Sequence, residues 1–173
     1  ISMHFPYKTQ QIQRLFKKTF TDSEGQAEGE LIGNLVVKLM TQEDSADVLC
    51  YIAEEEADII GCIFFSRFTF ENEASPAWLL SPVAVHTNFQ GQGIGQKLIQ
   101  FGLTELKEAG VSLVVTYGDI NFYSKVGFQI IEESIIKAPM KLSYPEGWLA
   151  QSLQKEVIEP ISGRSFCIKT FNN

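Results

Sequence analysis

Leu80-Ser81-Pro82-Val83-Ala84-Val85-His86-Thr87-Asn88-Phe89-Gln90-Gly91-Gln92-Gly93-Ile94-Gly95-Gln96-Lys97-Leu98-Ile99 reads as a buried strand, a short turn dense in glycine, and the first turn of an amphipathic helix. A junction of this kind aims several free backbone N–H groups at one point, backed by the positive end of the helix dipole. It is therefore a site for the phosphate of some ligand. Which phosphorylated ligand it takes nearly decides what the chain does.

Working outward, Lys8 to Phe20 places Ile12, Leu15, Phe16 and Thr19 at helical spacing, and Thr21 to Gly25 is expected to break that helix. Glu28 to Met40 starts another, with Leu31, Ile32, Leu35, Val36 and Leu39 as its apolar face. Val48 to Ala53 and Asp58 to Phe70 are two β-rich runs joined by an exposed tip at Glu54-Glu55-Glu56, and Trp78 to Val85 is a third strand. Gln92 to Ala109 is the clearest helix, its apolar stripe made by Ile94, Leu98, Phe101, Ile99, Leu103 and Leu106, with Gly110 placed to end it in the left-handed conformation. Val111 to Tyr117 is a strand, Asn121 to Lys125 a short helical turn closed by Gly127, and Phe128 to Glu132 a strand again. Beyond that, Trp148 to Val157 reads as a short helix and Ser165 to Phe171 as a terminal strand. The sum is a mixed α/β (α+β) chain with a central, mostly antiparallel mixed sheet and helices on both faces.

No repeat, low-complexity tract or linker interrupts the 173 residues, so one domain over residues 1–173 is expected. The longest apolar stretch, Ile59-Ile60-Gly61-Cys62-Ile63-Phe64-Phe65, is far short of a membrane span, and no export signal is evident at the start. A cytoplasmic protein without membrane attachment is the expectation. Three cysteines (Cys50, Cys62, Cys167), lacking CxxC spacing and set in apolar stretches, read as buried reduced thiols with no metal or redox role. The formal charge of −7 argues against nucleic-acid binding and mildly favours a cationic substrate.

Three readings of the glycine turn compete. A P-loop needs Gly-x-x-x-x-Gly-Lys-Ser/Thr, and no such string exists. A dinucleotide fold would open on its glycine motif, whereas Gly91-Gln92-Gly93-Ile94-Gly95 has the wrong spacing and follows antiparallel strands. The third reading, Gln-x-x-Gly-x-Gly, is met by Gln90, Gly93 and Gly95. Here the chain resembles the Gcn5-related N-acetyltransferase (GNAT) superfamily. The residues that carry the resemblance are Pro82-Val83-Ala84-Val85, Gln90-Gly91-Gln92-Gly93-Ile94-Gly95 and the downstream Phe122-Tyr123-Ser124-Lys125-Val126-Gly127-Phe128. A lone GxGxG is weak; two motifs with the expected elements between them are specific. The resemblance covers about Ile59 to Ile131 and reaches toward the N-terminal helices. Gly118-Asp119 before Phe122-Tyr123 makes the chain look like the small YhbS-like group of bacterial acetyltransferases.

The resemblance implies a GNAT fold in which a splayed strand pair holds coenzyme A, with acetyl-CoA as co-substrate and an amine of a small molecule or peptide as acceptor. The amides of about Gln92 to Gly95 would cradle the pyrophosphate, with Gly91, Gly93 and Gly95 letting the backbone come close. Gln90 offers a side-chain amide where many relatives resemble an arginine. Backbone groups of Val83, Ala84 and Val85 would serve the thioester carbonyl and the pantetheine arm, helped by a bulge at Pro82.

Tyr123 is the expected general acid. A phenol of pKa about 10 donating to a thiolate of about 8.5 is uphill by only about 1.5 units, roughly 2 kcal/mol. The resemblance implies the same role; the alternative is a packing aromatic. For the base, Glu71, Glu73, Glu54 to Glu56 and His86 are candidates, none singled out. Thr116 stands where many relatives carry asparagine, which implies different contacts to the pantetheine arm. Asp119 is expected to cap the turn at Ile120, while Lys97 and Lys125 are lone lysines near the motifs. A non-catalytic acyl-CoA-binding module is the competing reading. The acceptor's identity and a homodimeric state stay open.

Overall fold

The computed structural model describes residues 2–3 and 8–172. In chain order the elements are β1 (Ser2–Met3), α1 (Thr9–Glu24), α2 (Gln26–Thr41), β2 (Val48–Glu55), β3 (Asp58–Phe70), β4 (Ala77–Val85), α3 (Ile94–Glu108), β5 (Leu113–Tyr117), α4 (Ile120–Tyr123), β6 (Gln129–Ile130), β7 (Trp148–Ser152) and β8 (Ser165–Phe166). Strands hydrogen-bond in the order β1-β2-β3-β4-β5-β7-β6, and β8 pairs β3. The β4–β5 pair is parallel, while β1–β2, β3–β8, β5–β7 and β6–β7 are antiparallel. This is the mixed, mostly antiparallel sheet expected from the sequence. Among the described residues no helix is long and apolar enough to cross a membrane.

The chain divides into two compact units. One takes the described residues through Phe65, then Pro82–Ile99 and those from Lys169 on; the other takes Ser66–Ser81 and Gln100–Ile168. Both β3 and β4 pass through each of them.

In the first unit the sheet is covered on both faces. Phe16 of α1 packs against Phe64 with ring centroids 5.7 Å apart. On the opposite parity of β3, a Cβ built on Gly61 would lie 2.9 Å from Leu98 Cδ1 and 3.0 Å from Ile94 Cγ2. That glycine lets the head of α3 sit directly on the strand. A strand covered on both faces explains why Ile59–Phe65 is apolar throughout and does not alternate. The β2–β3 hairpin turns on Glu56 (φ 51°) and Ala57 (φ 72°), a two-residue turn with both residues left-handed.

The first helix runs past the expected break. It continues to Glu24, and only Gly25 (φ 100°) stops it. Its buried residues are Ile12, Leu15, Phe16 and Thr19, as the spacing predicts. The second helix differs from expectation. Its buried residues are Gly29, Gly33, Val36 and Leu39, and Leu31 is 64% exposed. The cause is a close helix–helix approach: a Cβ on Gly29 would lie 2.6 Å from the Lys17 carbonyl oxygen and would collide with the Thr21 hydroxyl. Two small residues, Gly29 and Gly33, set how closely the helices approach, and Leu31 is turned away from them. Phe101, part of the expected apolar stripe of α3, is likewise 40% exposed.

In the second unit the core gathers Phe68, Leu80, Val114, Val115, Leu149 and Ala150. Here the structure corrects the helix expected at Trp148 to Val157. That segment begins as strand β7, paired with β5 from Leu113↔Ser152 to Tyr117↔Trp148 and with β6 on its other edge. A short apolar run fits either period, and the two open strand edges decide it. Strands at Phe128 to Glu132 and Ser165 to Phe171 shrink to β6 and β8, and Lys169–Asn172 is a 3-10 turn. The expected caps hold: Gly110 (φ 85°) ends α3 and Gly127 (φ 98°) closes the turn after α4.

All three cysteines are free; Cys50 and Cys62 are buried with their sulfurs 3.4 Å apart, and Cys167 is half-buried.

Alanine is better than glycine in a helix by about 1 kcal/mol. Gly29→Ala is nevertheless expected to lower stability by about 1–3 kcal/mol, because the added methyl has no room. Urea unfolding measures this, and a raised midpoint would refute the close packing.

Candidate active site

The turn from β4 into α3 is made by backbone conformation. Gly91 (φ 81°) and Gly93 (φ 79°) are both left-handed, which strains any residue with a side chain. A Cβ at either would point into open space, so conformation and not crowding calls for glycine there. Gly95 is buried in the first turn of α3. The Lys97 N–H is the first to bond back, to the Gly93 carbonyl at 3.0 Å. Among the described residues, the amides of Gln92, Gly93, Ile94, Gly95 and Gln96 find no acceptor. No acidic side chain stands in the first turn to offset the helix dipole. The result is an anion cradle of backbone donors.

The approach to this cradle is braced from within the first unit. The Thr87 hydroxyl donates to Asp22 Oδ2 at 2.8 Å, tying the end of α1 to the 3-10 turn Thr87–Phe89. This bond first, and Lys18 second, hold the Asp22 carboxyl below its ordinary pKa. His86 Nδ1 accepts the Asn88 N–H at 3.1 Å, which leaves the proton of a neutral imidazole on Nε2. The Gln90 side-chain amide donates to the Val85 carbonyl at 3.0 Å, bracing the strand end. Along β4, Ser81, Val83 and Val85 are half-buried while Pro82 and Ala84 are fully buried.

In the second unit β4 and β5 part. Their register runs Ala77↔Leu113, Trp78↔Val114, Leu79↔Val115 and stops, although both strands continue. The next carbonyl, that of Leu80, accepts from the Thr116 hydroxyl at 2.7 Å. Asp119 Oδ1 accepts the Asn121 N–H at 2.9 Å and caps α4, as expected, and α4 carries Tyr123. The phenol ring meets Phe122 and Phe128 edge-on, with centroids 4.9 and 5.7 Å away. It also lies against Gly118, where a Cβ would be 2.6 Å from Tyr123 Cε2. Burial pushes the Tyr123 pKa above its ordinary value, and a hydrogen bond with the Thr116 hydroxyl works against that.

The acetyltransferase (GNAT) domain family matches residues 46–130. YhbS of Escherichia coli K12, an uncharacterized N-acetyltransferase, is 31% identical over 131 residues, 75% of this chain and 73% of that protein. The chain belongs to the GNAT acetyltransferase family. A second E. coli N-acetyltransferase, YjhQ, is 35% identical over 98 residues, 56% of this chain and 54% of its own. The YhbS crystal structure in complex with CoA superposes with a TM-score of 0.81 at 24% identity, covering 99% of this chain and 91% of that one. A GNAT acetyltransferase from Brucella melitensis in complex with acetyl-CoA gives 0.72 at 25% identity, covering 99% and 96%. Membership makes the protein an N-acetyltransferase with the mixed α/β fold of the family.

Within this GNAT chain the base candidates separate. Glu71 is engaged by Arg164 through both its Nε (3.4 Å) and its backbone N–H (3.2 Å). Glu73 accepts from the Ser75 hydroxyl, and Glu54 pairs with Lys8 at 2.9 Å. Glu55, Glu56 and His86 line a cleft of about 570 Å³ in the first unit, together with Arg14, Lys18 and Asp58. Lys97 and Lys125 are both exposed. Two residues gain a place that sequence reasoning misses: Thr116, which stands out only as a departure from the family, and Gly118, which stands out only as part of a turn. The signal for both is their distance of a few residues from Tyr123, in the segment that runs from β5 to it.

Burial also pushes the Cys167 thiol up to about 11. Its alkylation by iodoacetamide at neutral pH is therefore expected to be roughly a hundredfold slower than that of a free thiol. The rate should climb steadily until pH nears about 11. Fast labelling of Cys167 at pH 7 by peptide mapping would contradict this.

Proposed function

We propose that the protein transfers the acetyl group of acetyl-CoA to a primary amine of a small molecule or peptide, by direct attack through a tetrahedral intermediate. The observation that carries the reading is the run of unpaired amides from Gln92 to Gln96, opened by two left-handed glycines at the head of α3. A pyrophosphate needs several convergent donors and no anionic neighbour, and this turn supplies both. That YhbS and the Brucella protein were crystallised with CoA and acetyl-CoA supports the choice of ligand.

In this reading Gly91, Gln92, Gly93, Ile94 and Gly95 hold the pyrophosphate through their amides, and Gln90 acts as a brace on Val85. The backbone of Val83, Ala84 and Val85 serves the pantetheine arm and the thioester carbonyl. The amine attacks the carbonyl carbon, the oxygen takes the developing charge, and the C–S bond breaks as the carbonyl re-forms. Tyr123 gives its proton to the departing thiolate, and the amine's surplus proton leaves to a base or to water. A phenol held above its ordinary pKa stays protonated at neutral pH, so activity is lost only on the alkaline side as it ionises. The family match at residues 46–130 runs through both units, which supports treating residues 1–173 as one catalytic domain. Free cysteines and a coenzyme A donor suit the cytoplasm.

Calorimetry with acetyl-CoA is expected to show micromolar-class binding, and its absence removes the proposal. Gly93→Val should weaken that binding by about tenfold or more, since the turn can no longer hold its left-handed conformation without strain. Tyr123→Phe should leave acetyl-CoA affinity unchanged while lowering kcat by about 10²-fold. A chain that binds acetyl-CoA but shows no Tyr123-dependent thiol release with any amine would be a binding module only.

A further inference from the structure

We propose that the cleft beside β6 is an acceptor subsite: it takes an aliphatic stem that ends in a cation, so the amine that is acetylated carries a second positive charge. This rests on the reading of the protein as an amine acetyltransferase with Tyr123 as its acid.

The strand β6 comes last in the sheet order, next to β7. A cleft of about 260 Å³ lies against it, within the second unit. Its apolar lining is Ile130, Ile131, Leu142 and Pro145, and its polar lining is Glu132, Glu133 and Glu146. Ile130 is 49% exposed, and Met140 and Tyr144 of the following loop are exposed as well. The walls of the cleft lead to the Tyr123 turn from two directions. Pro145 and Glu146 open the 3-10 turn that ends at Gly147. A Cβ on Gly147 would lie 3.1 Å from the Gly118 carbonyl oxygen, and one on Gly118 would lie 2.6 Å from Tyr123 Cε2. On the other side, β6 follows directly on Phe128, whose ring meets that of Tyr123 edge-on.

The three carboxylates are not spent on the protein's own cations. Glu132 accepts the Ser134 hydroxyl at 3.4 Å and Glu133 accepts the Ala138 N–H at 3.2 Å. Among the described residues, Glu146 has no side-chain partner, and no Lys or Arg pairs with any of the three. Lys137 and Lys141 belong to the same loop, yet neither lines the cleft. Among the described residues no three acids converge on a metal ion, so the charge suits a larger cation. Apolar surface beside unpaired carboxylates fits a chain that lays its methylenes down and keeps its charged head at the rim. A carboxylate ligand would meet like charge, and a neutral apolar one would gain nothing from the acids. Sites for drug-sized ligands run to roughly 300–1,000 Å³, so a cleft below that range holds one stem and not a large ring system. The chain's formal charge of −7 draws such a molecule in.

Binding is read first, from the amide chemical shifts of the full chain. Pentylamine is expected to move the signals of Gln129 to Glu133 and of Glu146, with millimolar-class affinity. Pentanoate, which lacks the cation, and ethylamine, which lacks the stem, should leave them in place. No movement with pentylamine, or equal movement with pentanoate, overturns the proposal. Acetylation at saturating acetyl-CoA is read second. Diaminopentane is expected to have a kcat/KM about tenfold above that of pentylamine, well beyond the roughly twofold that its two ends supply by number. Each of Glu132→Gln, Glu133→Gln and Glu146→Gln should cut that advantage by about two- to threefold, and the triple variant should remove it. Equal kcat/KM for the two amines, or an advantage that survives the triple variant, overturns the acceptor role while Tyr123-dependent acetylation stands. Failure of the underlying reading looks different: neither amine is acetylated, or Tyr123→Phe is as fast as the parent with both, and the acceptor role falls with it.

Discussion

A parallel strand pair that stops sharing hydrogen bonds has to satisfy its next carbonyl some other way, and in this fold the Thr116 hydroxyl does so for Leu80. The parting matters because of where each strand leads. Beyond it β4 continues through Pro82 and Val85 to the glycine turn, and β5 continues through Gly118 to α4 and Tyr123. One side-chain hydroxyl thus satisfies a strand carbonyl at the point where the two strands stop pairing.

The turn from β4 into α3 is built from backbone, and this explains both its legibility and its limits in sequence. Left-handed turns favour glycine, so Gly91 and Gly93 mark the turn directly, and Gly110 and Gly127 mark the ends of two helical segments. Tyr123 is legible because it follows a capped turn in a recognisable string. Gln90 is not, because a free amide in a loop has many partners, and only the fold shows the Val85 carbonyl within reach. The base is illegible for a related reason: Glu54, Glu71 and Glu73 look alike in sequence, and the structure shows each already engaged.

Fold elements follow the same division. Long periodic segments such as α1 and α3 are readable, as is the hairpin between β2 and β3. The strand β7 is not, since five residues do not distinguish periods of 2 and 3.6, and its identity comes from neighbours far away in the chain. In α2 the pattern misleads about direction. Apolar residues usually mark the buried face, but contact with α1 is set by the absence of side chains at Gly29 and Gly33, which leaves Leu31 outside.

That glycine contact reaches beyond α2. The surface of α1 facing it is polar, with Lys17 Cβ 3.4 Å and Gln13 Cγ 3.7 Å from where a Cβ on Gly33 would stand, and the Thr21 side chain against Gly29. These positions hold hydrophilic residues, yet what they must satisfy is steric: a slim stem beside a bare backbone. Across related chains, slender residues recurring at 17 and 21 would record how near two helices run and not a group the protein recognises. Invariance on a polar face can be a matter of clearance.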